Sequence, residues 1–94
     1  MNKICGIYKI TSPSGKIYIG KSIDIIKRFK NYKNLQCKKQ IKLYHSLMKH
    51  GYNNHLFDII HECNMDELSN LEKHYIKFYN SVNTEHGLNL TEGG

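Results

Sequence analysis

The order of hydrophobic patterns predicts an α+β fold, a small three-stranded antiparallel sheet flanked by about three helices. Three observations carry this expectation. Two short runs rich in Ile and Tyr flank a Ser-Pro-Ser-Gly turn near the start of the chain, the pattern of a β-hairpin. Three later segments place apolar residues at three- and four-residue spacing, the period of an amphipathic helix. One further apolar run of strand length lies between the second and third of them, so the order reads ββ-α-α-β-α. With 94 residues, the chain is expected to form one domain over residues 1–94 with a modest core.

The hairpin comprises residues 4–11 and 16–21. Pro13 presets a turn backbone angle, and Gly15 takes positive φ at little cost. Side chains alternate along strands, so Tyr8 shares a face with Gly6 and Ile10, and Tyr18 shares one with Gly20. A glycine beside each tyrosine leaves room for an incoming group, and a phosphate is the expected occupant. Ser22 or Asp24 caps the next helix, which runs to about residue 34 on a core stripe of Ile25, Ile26, Phe29 and Tyr32. Arg28 and Tyr32 stand four apart and share a face, with Lys27 and Lys30 beside them.

The second helix spans about residues 40–50 on a stripe of Ile41, Tyr44, Leu47 and Met48, with Gly51 as a left-handed C-cap. Residues 52–55 turn and residues 56–62 form the third strand. Asn64 and Glu67 have capping-box spacing and open a third helix that reaches about residue 79. Its stripe is Leu68, Leu71, Tyr75, Ile76 and Tyr79, and Glu72 lies on it. A carboxylate on a buried face needs a cation, a proton or a metal ion. Residues 80–94 read mostly as loop, with Leu88, Asn89 and Leu90 pairing with the sheet or packing on it.

The formal net charge of +6 points to a polyanionic partner such as nucleic acid, or to a solubilising lysine surface. Thirteen of the fourteen basic residues are lysine, and Arg28 is the one arginine. An arginine kept where lysine supplies charge elsewhere suits a planar, bidentate phosphate clamp. Cys5, Cys37 and Cys63 are widely spaced and form no CxxC pair, which argues against a zinc site and for reduced thiols. No apolar run is long enough to span a membrane and no signal-peptide pattern opens the chain. The expected location is intracellular, cytoplasmic if the source is bacterial or phage.

The tripeptides Gly6-Ile7-Tyr8 and Tyr18-Ile19-Gly20, with nine residues between the tyrosines, resemble the signature of the GIY-YIG nuclease superfamily. The hairpin spacing is at the short end for that family, and the tight Ser-Pro-Ser-Gly turn accounts for it. The resemblance covers nearly the whole chain and implies the GIY-YIG fold. It also implies metal-assisted hydrolysis of a DNA phosphodiester by an inverting attack of water, leaving 5′-phosphate and 3′-hydroxyl ends.

Carried onto this chain, the resemblance makes Glu72 the metal ligand, for one Mg²⁺ or Mn²⁺ ion. Arg28 stabilises charge on the scissile phosphate. Tyr8 is the tyrosine usually cast as general base, Tyr18 positions the water or relays the proton, and which of the two takes the proton stays open. Tyr32 falls where the family carries His or Tyr. Asn89 resembles a late asparagine that supports the site by hydrogen bonding. A phenol ionises near ~10, so a tyrosine base needs positive charge from Arg28, the metal or a lysine. Lys21, Lys27 and Lys30 are the expected nucleic-acid contacts. The expected partner is DNA, cut by a monomer or a transient dimer. A C-terminal targeting module beyond this chain is also compatible, the Glu92-Gly93-Gly94 end reading as a linker. An inert nucleic-acid-binding module of the same fold and an RNA-directed nuclease are the alternatives.

Overall fold

The structure, a computed structural model, describes residues 3–91. The linker expected at residues 92–94 lies outside them. The sheet comprises β1 (Gly6–Thr11), β2 (Ile17–Ser22) and β3 (Leu56–Glu62) in the order β2-β1-β3, all antiparallel. Between β2 and β3 lie α1 (Ile25–Lys33) and α2 (Ile41–His50), followed by one turn of 3₁₀ helix at Tyr52–Asn54. A second such turn, Met65–Glu67, leads into α3 (Leu68–Tyr79). The α+β class and the element order are those expected from the sequence.

The hairpin closes as its residues dictate. The Ser12 and Lys16 backbones bond at 2.8 Å, the Gly15 N–H donates to the Ser12 carbonyl at 2.9 Å, and Gly15 takes φ 86°. Because β1 is central, both its faces are covered. Tyr8 and Ile10 join Tyr18, Ile25, Tyr32, Leu43, Leu47 and Leu88 in a core on the α1–α2 side. Ile7 and Ile19 meet Leu68 and Ile76 of α3 on the other. A register shift between Ile7 and Tyr8, where β1 pairs with β3, marks a bulge in that ladder.

Helix ends follow local chemistry. The Asp24 carboxylate accepts the Lys27 N–H at 3.2 Å, and the Ser22 hydroxyl accepts the Asp24 N–H at 3.0 Å, so both expected capping residues take part. Asn64 and Glu67 form the expected capping box, although it opens the 3₁₀ turn that precedes α3. At the end of α1 the Leu35 N–H bonds the Tyr32 carbonyl and the Gln36 N–H bonds the Asn31 carbonyl, a Schellman pattern. Leu35 occupies its left-handed position at φ 59°, where a glycine is usual. Its side chain packs on the core, and the turn brings the chain back toward the sheet at Gln40.

Three expectations are corrected. Ile26 is exposed, so the α1 stripe is Ile25, Phe29 and Tyr32. On α2, Ile41 and Met48 are exposed, whereas Leu43 and Leu47 are buried. Both pairs lie at helical spacing, and packing in the core with Leu88 and the tyrosines selects the stripe four apart, with Tyr44 at its margin. Gly51 ends α2 with φ 86°, but ψ is 146°, so it lies outside the left-handed helical region and is not a left-handed helical cap.

The segment after α3 seals the sheet edge at β2. The Ile17 N–H donates to the His86 carbonyl at 3.0 Å, and the Leu88 N–H donates to the Ile17 carbonyl at 2.8 Å. Gly87 bridges Ile17 in parallel, and a Cβ there would lie 1.7 Å from the Ser81 carbonyl oxygen. Only glycine allows that approach.

Candidate active site

Register decides what stands beside the two motif tyrosines. Tyr8 pairs with Gly20 and Ile10 with Tyr18 across β1 and β2. A Cβ on Gly20 would lie 2.2 Å from the Tyr8 ring, and one on Gly6 would lie 2.1 Å from the His61 carbonyl oxygen. The space that the glycines open is therefore filled by the protein itself. This corrects the expectation of a phosphate there: the glycines let the Tyr8 ring and the β3 backbone close on the hairpin.

Around Tyr8 the aromatic side chains form a dense cluster. The Tyr8, Tyr18 and Tyr32 ring centres are separated by 6.0 to 6.4 Å, and Phe29 lies 5.3 Å from Tyr8. The Tyr8 and Tyr32 hydroxyls are hydrogen-bonded to one another. Arg28 and Tyr18 lie close enough to Tyr32, and Gln40 to Tyr18, to act on the ionisation of those hydroxyls. The result is a buried, bonded pair of hydroxyls, Tyr8 and Tyr32, with the Tyr18 ring packed edge-on against both.

Burial controls the protonation of this cluster. It pushes the Tyr8 hydroxyl well above the usual phenol range; Tyr18 and Glu72 add to the rise, and the Tyr32 bond and the Arg28 charge offset only part of it. Tyr18 and Tyr32 are likewise raised, first by burial. Burial acts to lower Arg28, but the neighbouring Tyr8, Tyr32 and Tyr18 outweigh it and its acidity is suppressed further. The positive charge expected to bring Tyr8 toward neutrality is thus present in Arg28, and desolvation overrides it.

Glu72 approaches from the opposite face of the sheet. It sits on the buried side of α3, reaches past the β2 edge, and lines a hollow of about 230 Å³ with Tyr18, Gln40, Ile76, Asn89, Leu90 and Thr91. Lys21 Nζ lies 3.7 Å from Glu72 Oε1 and donates to the Ser69 hydroxyl at 3.1 Å. Arg28 opens instead onto a second hollow of about 260 Å³, walled by Lys27, Asn31, Ser22, Ile23, Asp24 and Lys3. Glu72 and Arg28 thus flank the tyrosines from two sides, and both act on the Tyr8 hydroxyl electrostatically.

Asn89 holds the edge together. Its Oδ1 accepts the Ile19 N–H at 2.8 Å, and its Nδ2 donates to the Ile19 carbonyl at 2.8 Å. The side-chain amide thereby pairs with β2 as a strand would, at the residue after Tyr18. Of the expected site residues, Tyr18, Glu72 and Asn89 line one hollow, with Lys21 beside Glu72, and Arg28 with Lys27 lines the other, while Tyr8 and Tyr32 are buried in the core. Lys30 is exposed and lines neither hollow.

Gln40 was not singled out by sequence reasoning. The available signal was its position: it is the N-cap residue of α2 yet makes no side-chain capping bond, and glutamine is outside the usual capping set. Ser69, which orients Lys21, carried no comparable signal.

Among the described residues no group of three or more His, Cys, Asp and Glu is placed to hold a metal ion. What the Glu72 hollow offers is a carboxylate with hydroxyl and amide oxygens from Tyr18, Thr91 and Gln40. That set suits a hard divalent cation that keeps most of its waters, and it does not suit a thiophilic one.

Known proteins share this fold. The chain is similar to the catalytic domain of the intron endonuclease I-TevI, for which two solved structures match. One, a variant, aligns with TM-score 0.79 and 31% identity over 97% of this chain and 97% of that one. The other aligns with TM-score 0.77 and 33% identity over 93% and 98%. An MSV199 domain-containing protein of Invertebrate iridescent virus 6 is 34% identical over 76 residues, which cover 76% of this chain and 31% of that protein. The chain therefore spans about a third of the length of this curated relative. A family model described as the GIY-YIG catalytic domain matches residues 4–86. The chain belongs to this family and is a GIY-YIG nuclease domain.

Proposed function

We propose that this domain cleaves DNA by hydrolysing a phosphodiester bond with the help of one divalent cation, Mg²⁺ or Mn²⁺, at Glu72. The observation that carries the reading is the placement of Arg28 and Glu72 on two sides of one buried cluster of tyrosine hydroxyls. When bound, the cation would supply Lewis-acid polarisation of a phosphate oxygen and a more acidic water.

The chain's own residues do the rest. Glu72 would hold the cation, and Lys21 lies beside its carboxylate at 3.7 Å. The Arg28 guanidinium carries a fixed positive charge and meets negative charge that grows on the phosphate. Tyr18 lines the Glu72 hollow, whereas Tyr8 is sealed behind it. Tyr18 is therefore the hydroxyl that meets the attacking water. Tyr8 and Tyr32 are positioning residues whose rings pack against Tyr18 and fix its direction. With their acidities suppressed by burial, these phenols act as neutral donors and acceptors, and a standing tyrosinate is not required. Asn89 positions Tyr18 by clamping Ile19, and Lys27 extends the positive field beside Arg28.

Nicking of supercoiled plasmid tests the reading. The wild type with Mg²⁺ or Mn²⁺ is expected to produce open circles and to be silent in EDTA. Glu72→Ala and Arg28→Ala are each expected to lose at least ~10²-fold in rate, the loss typical for removal of one charge-stabilising group. Undiminished cutting by Glu72→Ala would overturn the metal assignment. Cleavage confined to RNA would overturn the substrate.

A further inference from the structure

A second concave surface lies beyond the tyrosine cluster, between the hairpin tip, α2 and the loop that follows α3. It is larger than the Glu72 hollow, about 510 Å³, and five basic side chains line it: Lys16, Lys42, His45, Lys49 and His50. No carboxylate lines it. Like charges gathered in one concavity repel, and a bound polyanion relieves that repulsion.

Two details go against a merely solubilising surface. Lys42, His45 and Lys49 project from one face of α2, at three- and four-residue steps, and meet Lys16 from a different element. Lys49 and His50 stand in the last turn, where the helix dipole favours cations, but Lys42 stands in the first turn, where it does not, and no acidic residue offsets it there. Helix stability therefore does not explain Lys42.

The groove is also continuous with the active site. Gly87 and Leu88 form its wall, and the next residue, Asn89, lines the Glu72 hollow. Lys42 Nζ reaches the Asn89 carbonyl at 3.4 Å and so marks the boundary. A strand whose phosphate lies at Glu72 passes over Asn89 into the groove, where lysines, imidazole N–H groups and the Thr84 hydroxyl supply the donors that phosphates take.

Building on the nuclease reading, we infer that this groove binds the phosphate backbone of duplex DNA flanking the cleaved bond. Binding of a short labelled duplex, followed by fluorescence anisotropy over a KCl series in EDTA, tests it without any need for cleavage. The double variant Lys42→Gln/Lys49→Gln is compared with Lys73→Gln/Lys77→Gln, which removes the same charge from the exposed face of α3. Lys16→Gln/Lys49→Gln repeats the test with the Lys42–Asn89 contact intact.

Each groove double is expected to flatten the slope of log K against log salt by about 0.9 per lysine removed, and to weaken binding at least tenfold at low salt. The α3 double should move the slope by less than half as much. Equal effects from groove and α3 variants would mean that only net charge matters, and unchanged binding by both groove doubles would remove the groove from the interface. A wild type that binds through the groove but never nicks plasmid would leave this inference standing and overturn the nuclease reading instead.

Discussion

Gly20 shows how a single missing side chain sets the site. Its Cα faces Tyr8 across β1 and β2, and the Tyr8 ring occupies the volume where a Cβ would lie. Tyr8 has no solvent exposure, its hydroxyl is committed to Tyr32, and Phe29 packs on its ring. It has no free direction in which to move. Gly20→Ala is therefore expected to destabilise the fold by about 1–3 kcal/mol, the usual range for overpacking a full core. A urea titration should show a lower midpoint at unchanged m-value. A midpoint equal to the wild type would mean that the ring has slack that the geometry does not show. The glycine–tyrosine adjacency was legible from strand alternation alone. Its purpose was not, because alternation says which residues share a face and not what fills the space between them.

Among the elements, the edge strand β2 depends most on a segment with no regular structure of its own. An open edge would leave the Ile19 N–H and carbonyl without partners beside Tyr18, and the Asn89 amide satisfies both. Asn89→Ala strands two buried backbone groups, and the expected loss is about 2–4 kcal/mol. Hydrogen exchange should localise it, with the Ile19 amide losing protection while the Tyr8 amide, in the central strand, keeps its own. Equal loss at both would mean that Asn89 supports the whole sheet rather than its edge. A short Leu-Asn-Leu segment told the sequence reader only that something here could meet the sheet. The α2 stripe was misread for a related reason. Ile41 with Met48 and Leu43 with Leu47 both satisfy helical spacing, and only contact with the C-terminal segment and the tyrosines chooses between them.

At the scale of the whole molecule, three buried phenols tie stability to pH. Tyr8, Tyr18 and Tyr32 all ionise higher in the folded protein than in the open chain, because burial penalises the phenolate. Below about pH 10 both states keep these protons and the fold holds its full stability. As pH rises past that value the unfolded chain loses them first, and the fold weakens by about 1.4 kcal/mol per pH unit for each tyrosine. Three together rival the net stability of a small domain, about 5–15 kcal/mol, within a few units. Thermal melts taken from neutral to strongly alkaline pH should show this decline, and Tyr18→Phe should make it shallower by about a third. A flat profile above about pH 10 would contradict the burial of these hydroxyls.

The sequence by itself determined the class of the fold, the order of its elements and the hairpin, and it put forward the candidate site residues. Each of these is written in local periodicity, turn chemistry or motif spacing, which a linear chain carries openly. Tertiary structure alone decided that Glu72 arrives from one face of the sheet and Arg28 from the other. It also decided that Gln40 joins the tyrosines, that the motif glycines accommodate the protein and not its ligand, and that Lys16, Lys42 and Lys49 share one groove. Those outcomes depend on which distant segments meet across β2 and on how completely they exclude water. Neither quantity has a counterpart in the spacing of residues along the chain.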